Sequence, residues 1–323
     1  MPIRYTSPGL GGHRQVMIGG GEWEFDLSYR QLNADDFFVG NQIVPEAAPG
    51  GQPNRFKIHT FDVSVVYGVS DRFSLRFTVP FSTGENSRIH RDEKRHVTFA
   101  NGIGDISLAG KLWLFDPAIS TDGNLALGLG VKAPTGADDA EGDLGTAAAG
   151  VIQFPVHPGL QTGDGGWAIL LAAEGYRQIF GSLSGYLGGA YQITPKEASE
   201  IPVVPGGPPR SVFDVYHLRA GLAYGLTPNP ALSASFGLRI DGVPVRDLVG
   251  GDGGYRTPGY TLFFDPGISL TLGRTTLTAS VPLRLHGEFQ QNVLDMSGEG
   301  AGTFGNRGDL ASYLIFLGFA QRF

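Results

Sequence analysis

Three of the seven histidines, His59, His217 and His286, are the candidates for acid–base chemistry, because each has serine or threonine residues nearby in the chain. A serine, a histidine and a carboxylate together form the catalytic centre of many hydrolases. Hydroxyl residues are common throughout this sequence, however, and no G-x-S-x-G nucleophile elbow is present. We therefore predict no catalytic residue, and a lipid-modifying enzyme is the least favoured interpretation.

Carboxylates could instead bind a metal, and the Gly-rich stretch GGDGGYRTPGY at 250–260 is the segment to consider. It holds a single aspartate, whereas a calcium loop supplies several carboxylates at regular spacing. The chain also contains no cysteine, which excludes thiolate metal sites and disulfides. We expect a turn-rich loop at 250–260, and neither a metal nor a cofactor.

The last fifteen residues, DLASYLIFLGFAQRF, show which kind of element must position any functional side chain. Large apolar residues occupy alternate positions, with Tyr313, Ile315 and Leu317 on one face and Ser312 and Gly318 on the other. A period of two indicates a β-strand. Strands of soluble proteins usually run about five or six residues, whereas this one matches the roughly 9–11 residues of a strand that crosses a bilayer.

The same alternation recurs from residue 23 onward, for example in EWEFDLSYR and in FSLRFTV. The composition agrees, with 50 glycines, 21 phenylalanines and 11 tyrosines and only 17% charged residues. No apolar run approaches the roughly 18 residues of a membrane-spanning helix. The net charge of −7 disfavours nucleic acid as a partner, and the basic segment 88–96 is predicted to be a solvated loop.

Loop lengths distinguish a soluble sheet from a membrane barrel. Short connections (GVSD, GLTPNP and LGRT) alternate with long polar ones at 82–103, 134–146, 195–211, 242–258 and 287–309. Outer-membrane barrels have short periplasmic turns and long external loops. The sequence therefore predicts an all-β fold, a transmembrane antiparallel up-and-down β-barrel over 22–323, preceded by a Gly-rich segment 1–21 that is either a flexible tail or a plug.

Aromatic residues at strand ends favour the same interpretation, because such barrels carry aromatic girdles at the membrane interfaces. We predict a girdle on the short-turn side formed by Trp23, Tyr67, Phe73, Trp167, Tyr224 and Phe323.

The strand count depends on segment 166–194. The directions of the neighbouring strands require this segment to cross the membrane a net single time, although its length would allow two crossings. One kinked strand, or one strand with an inward-folded piece, gives twelve strands in total. A hairpin plus a strand within 195–211 gives fourteen. We prefer twelve because the proline-rich 195–211 is poor strand material.

Polar faces of the strands must point into the lumen if the apolar faces meet lipid. The predicted lumen-lining residues are Asp62, Arg76, Asp105, Lys111, Lys132, Glu174, His217, Arg219, Arg239, Asp241, Asp265, Arg284 and His286. Charges of both signs could pair across the lumen as a structural network, or segregate and create a field that orders a passing solute.

Three blocks together carry a family likeness: YGVSDRFSLRFTVPF, GIGDISLAGKLWLF and LALGLGVKAPTG. In this order they resemble the outer-membrane channels grouped with proteins of the meta-pathway of phenol degradation, and QTGDGGW and FDPGISL resemble a bacterial branch of them. The resemblance implies a membrane barrel that passes small aromatic or hydrophobic compounds.

These observations together predict a passive channel for small solutes in the bacterial outer membrane. Its expected partners are outer-membrane lipid, the small-molecule solute and the barrel-assembly machinery, which would recognise the last strand ending at Phe323. No secretory signal is visible at the N-terminus, so we expect it to have been removed or missed. The alternative is a structural or surface-anchoring barrel with a blocked lumen.

Overall fold

Strands make up nearly all the regular structure of this computed structural model, which describes residues 17–147, 149–229, 231–298 and 305–323. The strands are β1 (Trp23–Val39), β2 (Gln42–Ile43), β3 (Arg55–Gly68), β4 (Phe73–Ile89), β5 (Arg95–Ile103), β6 (Ser107–Trp113), β7 (Gly123–Lys132), β8 (Glu141–Thr146), β9 (Gly150–Pro155), β10 (Ala168–Phe180), β11 (Leu183–Ile193), β12 (Ala198–Pro202), β13 (Pro209–Ser211), β14 (Val215–Pro228), β15 (Ala231–Val243), β16 (Gly259–Phe264), β17 (Gly267–Leu272), β18 (Thr275–Ser280), β19 (Leu283–Phe289) and β20 (Arg307–Arg322). Two 3₁₀ turns (Pro45–Ala47 and Pro49–Gly51) and one short helix, α1 (Val293–Ser297), complete the set. No described helix is long and apolar enough to span a membrane.

The strands close into an antiparallel barrel whose wall is crossed twelve times, which confirms the predicted fold class and strand number. Three of the crossings are each made by two consecutive strands, namely β5 with β6, β16 with β17, and β18 with β19. β20 pairs with β1 from Glu24↔Arg322 to Val39↔Arg307 and so closes the ring. A closed sheet has no free edge, so its backbone groups are paired even in lipid.

The barrel is apolar outside and polar inside, as the alternation predicts. On β1, Phe25 and Leu27 are exposed on the outer surface, whereas Asp26, Ser28 and Arg30 are buried within the ring. Burying charges in this way is expensive unless they are paired. The interior must therefore contain partners for them.

Segment 166–194 crosses the barrel twice, so the predicted single crossing is wrong. β10 and β11 form a hairpin in register from Ile169↔Ile193, and Gly181 supplies the positive φ of 51° in its turn. The barrel still has twelve strands, because the chain between β7 and β10 contributes none to the ring. In that stretch β8 and β9 pair only with each other, in a hairpin outside the ring. The stretch 195–211 also stays outside, as the short hairpin β12–β13.

Two rims can be distinguished by their connections, and we call them the short-turn rim and the long-loop rim. At the short-turn rim, the amide of Gly20 donates to Asp71 and that of Gly21 to the Gly68 carbonyl, so the chain before β1 docks on the β3–β4 turn. Residues 1–16, the bulk of the predicted tail or plug, lie outside the described residues. At the long-loop rim lie the hairpins β8–β9 and β12–β13.

An apolar cluster fills part of the barrel near the long-loop rim. Val156 and Leu160, from the segment after β9, pack with side chains of the barrel wall that include Phe56, Phe263 and Leu314. We call residues 156–164 the covering segment, because they lie across this end of the lumen. Arg210 fixes the segment by donating to the carbonyls of Pro155 and Val156, the latter at 2.7 Å.

Candidate functional site: the barrel lumen

The lumen contains two cavities in series, each of about 110 Å³. The lower cavity lies toward the short-turn rim, between the walls that carry Arg76, Lys111 and Glu174. The upper cavity lies beneath the covering segment and reaches Lys132 and Asp105. Asp62, Thr78 and Leu170 line both cavities, so the two spaces meet at these side chains.

Ion pairs along the wall bridge strands around the lower cavity. Arg76 on β4 pairs with Asp26 on β1, and Arg30 on β1 lies 3.3 Å from Asp62 on β3. Lys111 Nζ on β6 lies 2.7 Å from Glu174 Oε1 on β10, reaching over the intervening strand β7. These pairs satisfy charges that burial would otherwise penalise.

Lys132 organises the upper cavity. Its Nζ lies 2.8 Å from Asp105 and 2.5 Å from Asp164, which belongs to the loop before β10. The other Asp105 oxygen accepts a hydrogen bond from the Gly136 amide at 3.0 Å. A wall strand and two loop segments therefore meet at one ammonium group.

The opposite side of the lumen is filled by side chains. Arg219 and Arg239 are direct cross-strand neighbours on β14 and β15, an arrangement that repels unless each charge is compensated. Arg239 Nε donates to both oxygens of Asp241 and its guanidinium lies 4.7 Å from the Phe316 ring centre. Arg219 stacks over Tyr186 at 5.3 Å. The open path, by which we mean the two cavities, thus lies on the side of β1, β3, β4, β6, β7, β10 and β11, and His217 of β14 lies at its margin.

The open path has an excess of negative charge. Its two cavities are lined by six carboxylates (Asp26, Asp62, Asp105, Asp138, Asp164 and Glu174) and four cationic side chains (Arg76, Lys111, Lys132 and Arg210). A narrow, low-dielectric passage concentrates such an imbalance into an electrostatic field. Summed over both cavities, this field favours cations over anions.

His217 on β14 is a lumen residue with an unsatisfied polar group. The side chain is 7% exposed and lines the lower cavity. Its Nδ1 is buried and has no hydrogen-bond partner among the described residues.

Most of the residues predicted to line the lumen lie beside a cavity or on the filled side. The lower cavity is lined by Asp62, Arg76, Lys111, Glu174 and His217, and the upper one by Asp62, Asp105 and Lys132. Arg219, Arg239, Asp241 and Asp265 lie on the filled side: Asp241 pairs with Arg239, and Asp265, which follows β16, acts electrostatically on Arg219.

Arg284 lies at a seam, away from both cavities. β19 pairs with β20 only at Leu283↔Tyr313 within the described residues. Beyond that point, Arg284 donates to the carbonyls of Leu310 and Ala311 at 3.2 and 3.1 Å and pairs with Asp36. A guanidinium thus takes the place of missing backbone hydrogen bonds between the two strands.

His286 does not face the lumen, so this prediction is wrong. The register of β16 and β19 shifts between Leu262↔His286 and Phe263↔Arg284, which leaves Leu285 as the extra residue of a β-bulge. The bulge displaces the alternation by one position. His286 therefore lies on the outer face with Tyr260 and Glu288. The ring centres of His286 and Tyr260 are 5.7 Å apart.

Five of the six residues predicted to form an aromatic girdle lie at the short-turn rim. The rings of Trp23 and Tyr67 pack there with 4.6 Å between their centres, and Phe73, Tyr224 and Phe323 lie at the ends of strands that meet the same rim. Trp167 lies at the long-loop rim, because β10 starts there and pairs from Ala168↔Lys132. Its predicted position is wrong for the same reason as the crossing of 166–194.

Several residues of the open path were not among those predicted from the sequence. Asp26 and Arg30 occupy the polar face of β1, so the alternation itself could have identified them. Asp164 and Arg210 reach the lumen from loops, where no periodic pattern exists.

Two histidines near the long-loop rim lie outside the membrane-spanning strands, namely His90 in the β4–β5 connection and His157 in the covering segment. The amide of Gly145 on β8 donates to His90 Nδ1 at 2.9 Å, which ties the β8–β9 hairpin to the β4–β5 connection. Burial, reinforced by the positive charge of Arg88, lowers the pKa of His90 to about 4. Burial likewise lowers the pKa of His157 to about 3, with Arg88 and Arg210 acting in the same direction. Both rings therefore stay neutral near pH 7.

Comparison with known proteins identifies the fold. No family model and no curated protein matches the chain. The COG4313 outer membrane channel from Pseudomonas putida F1 is 15% identical, with 99% of this chain and 100% of that chain covered and a TM-score of 0.67. The β domain of the Bordetella autotransporter BrkA is 11% identical over 95% and 100% of the two chains (TM-score 0.48). The P. putida toluene transporter TodX is 9% identical over 94% and 90% (TM-score 0.43). The first likeness shows that this chain has the fold of an outer-membrane channel.

Proposed function

We propose that this protein is a passive channel of the bacterial outer membrane that lets small solutes pass without chemistry or a cofactor. The observation that carries the proposal is the pair of cavities in series, which share Asp62, Thr78 and Leu170 inside a closed ring. A twelve-stranded barrel is wider than the eight-stranded barrels that side chains fill and narrower than a sixteen-stranded porin. The pathway therefore suits small molecules.

Aromatic or hydrophobic compounds are the solutes that we propose. The walls of the lower cavity between the ion pairs are small and apolar, with Ala109, Ala126, Gly128 and Ala172 among them. The resemblance of residues 67–81, 102–115 and 125–136 to channels of the meta-pathway of phenol degradation supports the same class, and we propose membership of that family.

The outer surface supports the proposed location. Leu127, Leu129 and Val131 on β7 are about half exposed and face outward, where lipid would cover them. We propose that outer-membrane lipid is their partner and that the barrel-assembly machinery recognises β20.

Single-channel recording tests the proposal. Protein refolded in detergent and inserted into a planar bilayer should give discrete ohmic current steps. Under a salt gradient, Arg76→Ala should shift the reversal potential, because Arg76 lines the lower cavity. Arg246→Ala is the control, since this side chain is 67% exposed in an external loop. A protein that folds in water without detergent would overturn the proposal.

A blocked lumen is the second candidate, and the covering segment is the observation that favours it. Val156 and Leu160 are 3% exposed and pack against the barrel wall beneath the long-loop rim. If the segment seals the passage permanently, a correctly folded barrel would carry no current, and the protein would act as a structural or anchoring barrel. Val156→Ser with Leu160→Ser should loosen the packing and raise the conductance if the segment only narrows an open path.

A further inference from the structure

His217 lines the lower cavity and carries one hydrogen-bonding atom without a partner in the described part of the chain. Its side chain is more than nine-tenths buried, lines the cavity wall and leaves Nδ1 without a partner in the described part of the chain. A buried polar group without a partner is costly. Such a group is therefore a candidate for recognising a ligand.

The other polar groups around this cavity are mostly engaged with one another. Arg76 is paired with Asp26, Lys111 with Glu174, and the hydroxyls of Ser64 and Thr78 lie 2.9 Å apart. One oxygen of Asp26, Oδ1, is buried and lacks a partner in the described residues. The cavity is thus lined by an imidazole on one wall and a carboxylate on another, each with one buried atom that has no partner among the described residues.

The charges around the site disfavour ionic ligands. The guanidinium groups of Arg239, Arg219 and Arg30 act electrostatically on the His217 ring and together oppose a cation there, although Asp241, the partner of Arg239, acts in the other direction. Asp26, Asp62 and Glu174 line the same cavity and oppose an anion. A neutral ligand meets neither barrier.

Size and wall chemistry limit the ligand further. The cavity measures about 110 Å³, and its polar groups are separated by glycine residues and by the apolar residues Ala109, Ala126, Val66 and Leu170. An apolar cavity of roughly 150 Å³ accommodates one benzene molecule. The lower cavity alone is smaller than that, so a short chain fits within it, and a single ring fits only if it also occupies part of the adjoining upper cavity.

We propose that the lower cavity is a binding subsite for small, neutral, mainly apolar molecules that carry one hydroxyl group, and that His217 is the hydrogen-bond partner of that hydroxyl. This inference rests on the proposed function, since it defines the class of solute that the channel selects. His217 is then a specificity-determining residue of the passage.

Equilibrium binding to the purified protein in detergent micelles tests the subsite. Benzyl alcohol and benzyl methyl ether are matched probes, because the ether keeps the ring and the oxygen but cannot donate a hydrogen bond. In protein with ¹⁵N-labelled histidines, only seven ring spin systems are expected, and His217→Gln identifies the one from residue 217. Benzyl alcohol should shift this signal, and the ether should shift it far less.

Affinity provides the second measurement. His217→Phe keeps an aromatic ring and removes the hydrogen bond, so it should weaken benzyl alcohol binding about 2- to 12-fold, as expected for one net hydrogen bond, and leave the ether unchanged. His286→Phe is the matched control, because that histidine lies on the outer face. If His217→Phe fails to fold, the shift in the wild-type spectrum still decides.

Equal affinity for the two probes in the wild type, or an unmoved His217 signal at saturating alcohol, would overturn the subsite. The two proposals can fail separately. Current steps without a His217 response would retain the channel and reject the subsite. A His217 response in a barrel that carries no current would retain the binding site and reject passage.

Discussion

Lys111 and Glu174 join two strands that are not neighbours, with 2.7 Å between Nζ and Oε1. β7 runs between them, and its residue below the pair is Gly128, which is the cross-strand partner of both Lys111 and Ala172. A larger side chain at position 128 would occupy the space that the two long side chains cross. Small residues on one strand thus allow charges on its two neighbours to meet.

Removing one member of this pair should destabilise the barrel more than removing both. Lys111→Met leaves the Glu174 carboxylate without its cation in a mostly buried position, so we expect a loss of roughly 1–3 kcal/mol in the free energy of unfolding. Lys111→Met with Glu174→Gln should recover most of it. Urea unfolding in micelles, followed by the gel shift between folded and unfolded barrel, measures both. Additive losses would show that the two residues do not interact.

The same two residues should control ion selectivity in opposite directions. Because six carboxylates and four cationic groups line the path, the wild type is expected to prefer K⁺ over Cl⁻. Glu174→Gln should reduce this preference and Lys111→Met should increase it, as read from the reversal potential in a salt gradient. An anion-selective wild type would contradict the charge distribution described above.

Arg284 should contribute to stability through the seam between β19 and β20. Arg284→Ala removes two hydrogen bonds to the carbonyls of Leu310 and Ala311 and leaves Asp36 without its cation. We expect a loss of about 2–4 kcal/mol in the free energy of unfolding. Arg284→Lys should recover only part of it, since an ammonium lacks the planar set of donors that reaches all three groups. Arg246→Ala, exposed in a loop, serves as the reference; an equal effect there would contradict the role of the seam.

The strand pattern was predictable from the sequence because it is local. Alternation along β1, β4 and β7 depends only on which face meets lipid, and it correctly separates outward Phe25 and Leu27 from inward Asp26. The bulge at Leu285 was not predictable, because a one-residue register shift depends on how neighbouring strands pair. The β10–β11 hairpin was missed because the apolar pattern continues on both sides of the turn at Gly181.

The functional site was predictable only where it lies on strands. Lys111 and Glu174 follow from alternation, although their pairing across β7 does not, since it depends on strand order. Asp164 joins Lys132 from a loop whose position is fixed by long-range contacts, such as the hydrogen bond between its amide and Asp105. The covering segment likewise cannot be recognised from a periodic sequence pattern, because Val156 and Leu160 belong to no strand.

Acidification should release the β8–β9 hairpin from the β4–β5 connection. His90 accepts a hydrogen bond from the Gly145 amide through Nδ1, and its Nε2 lies 3.1 Å from Arg88 Nε. The His96 ring stacks on the His90 ring with 4.5 Å between the ring centres, and His96 is itself hydrogen-bonded to Asp92. Protonation of His90 would place an N–H at Nδ1 against the Gly145 N–H, which is also a donor, and would add a positive charge beside Arg88. Because the pKa of His90 is lowered from 6.5 to about 4, docking is fully stable above pH 6.5 and weakens as the pH falls toward 4.

Hydrogen exchange at the Gly145 amide measures this weakening. Its protection factor, corrected for intrinsic exchange, should fall between pH 7 and pH 4 in the wild type and stay nearly constant in His90→Gln, which cannot be protonated. His286→Gln, altered on the far outer face, should behave like the wild type. A protection factor that is independent of pH in the wild type would show that the His90–Gly145 hydrogen bond does not hold the hairpin. If the protection factor of Gly145 falls as expected, the conductance should rise over the same pH interval, because the covering segment directly follows β9.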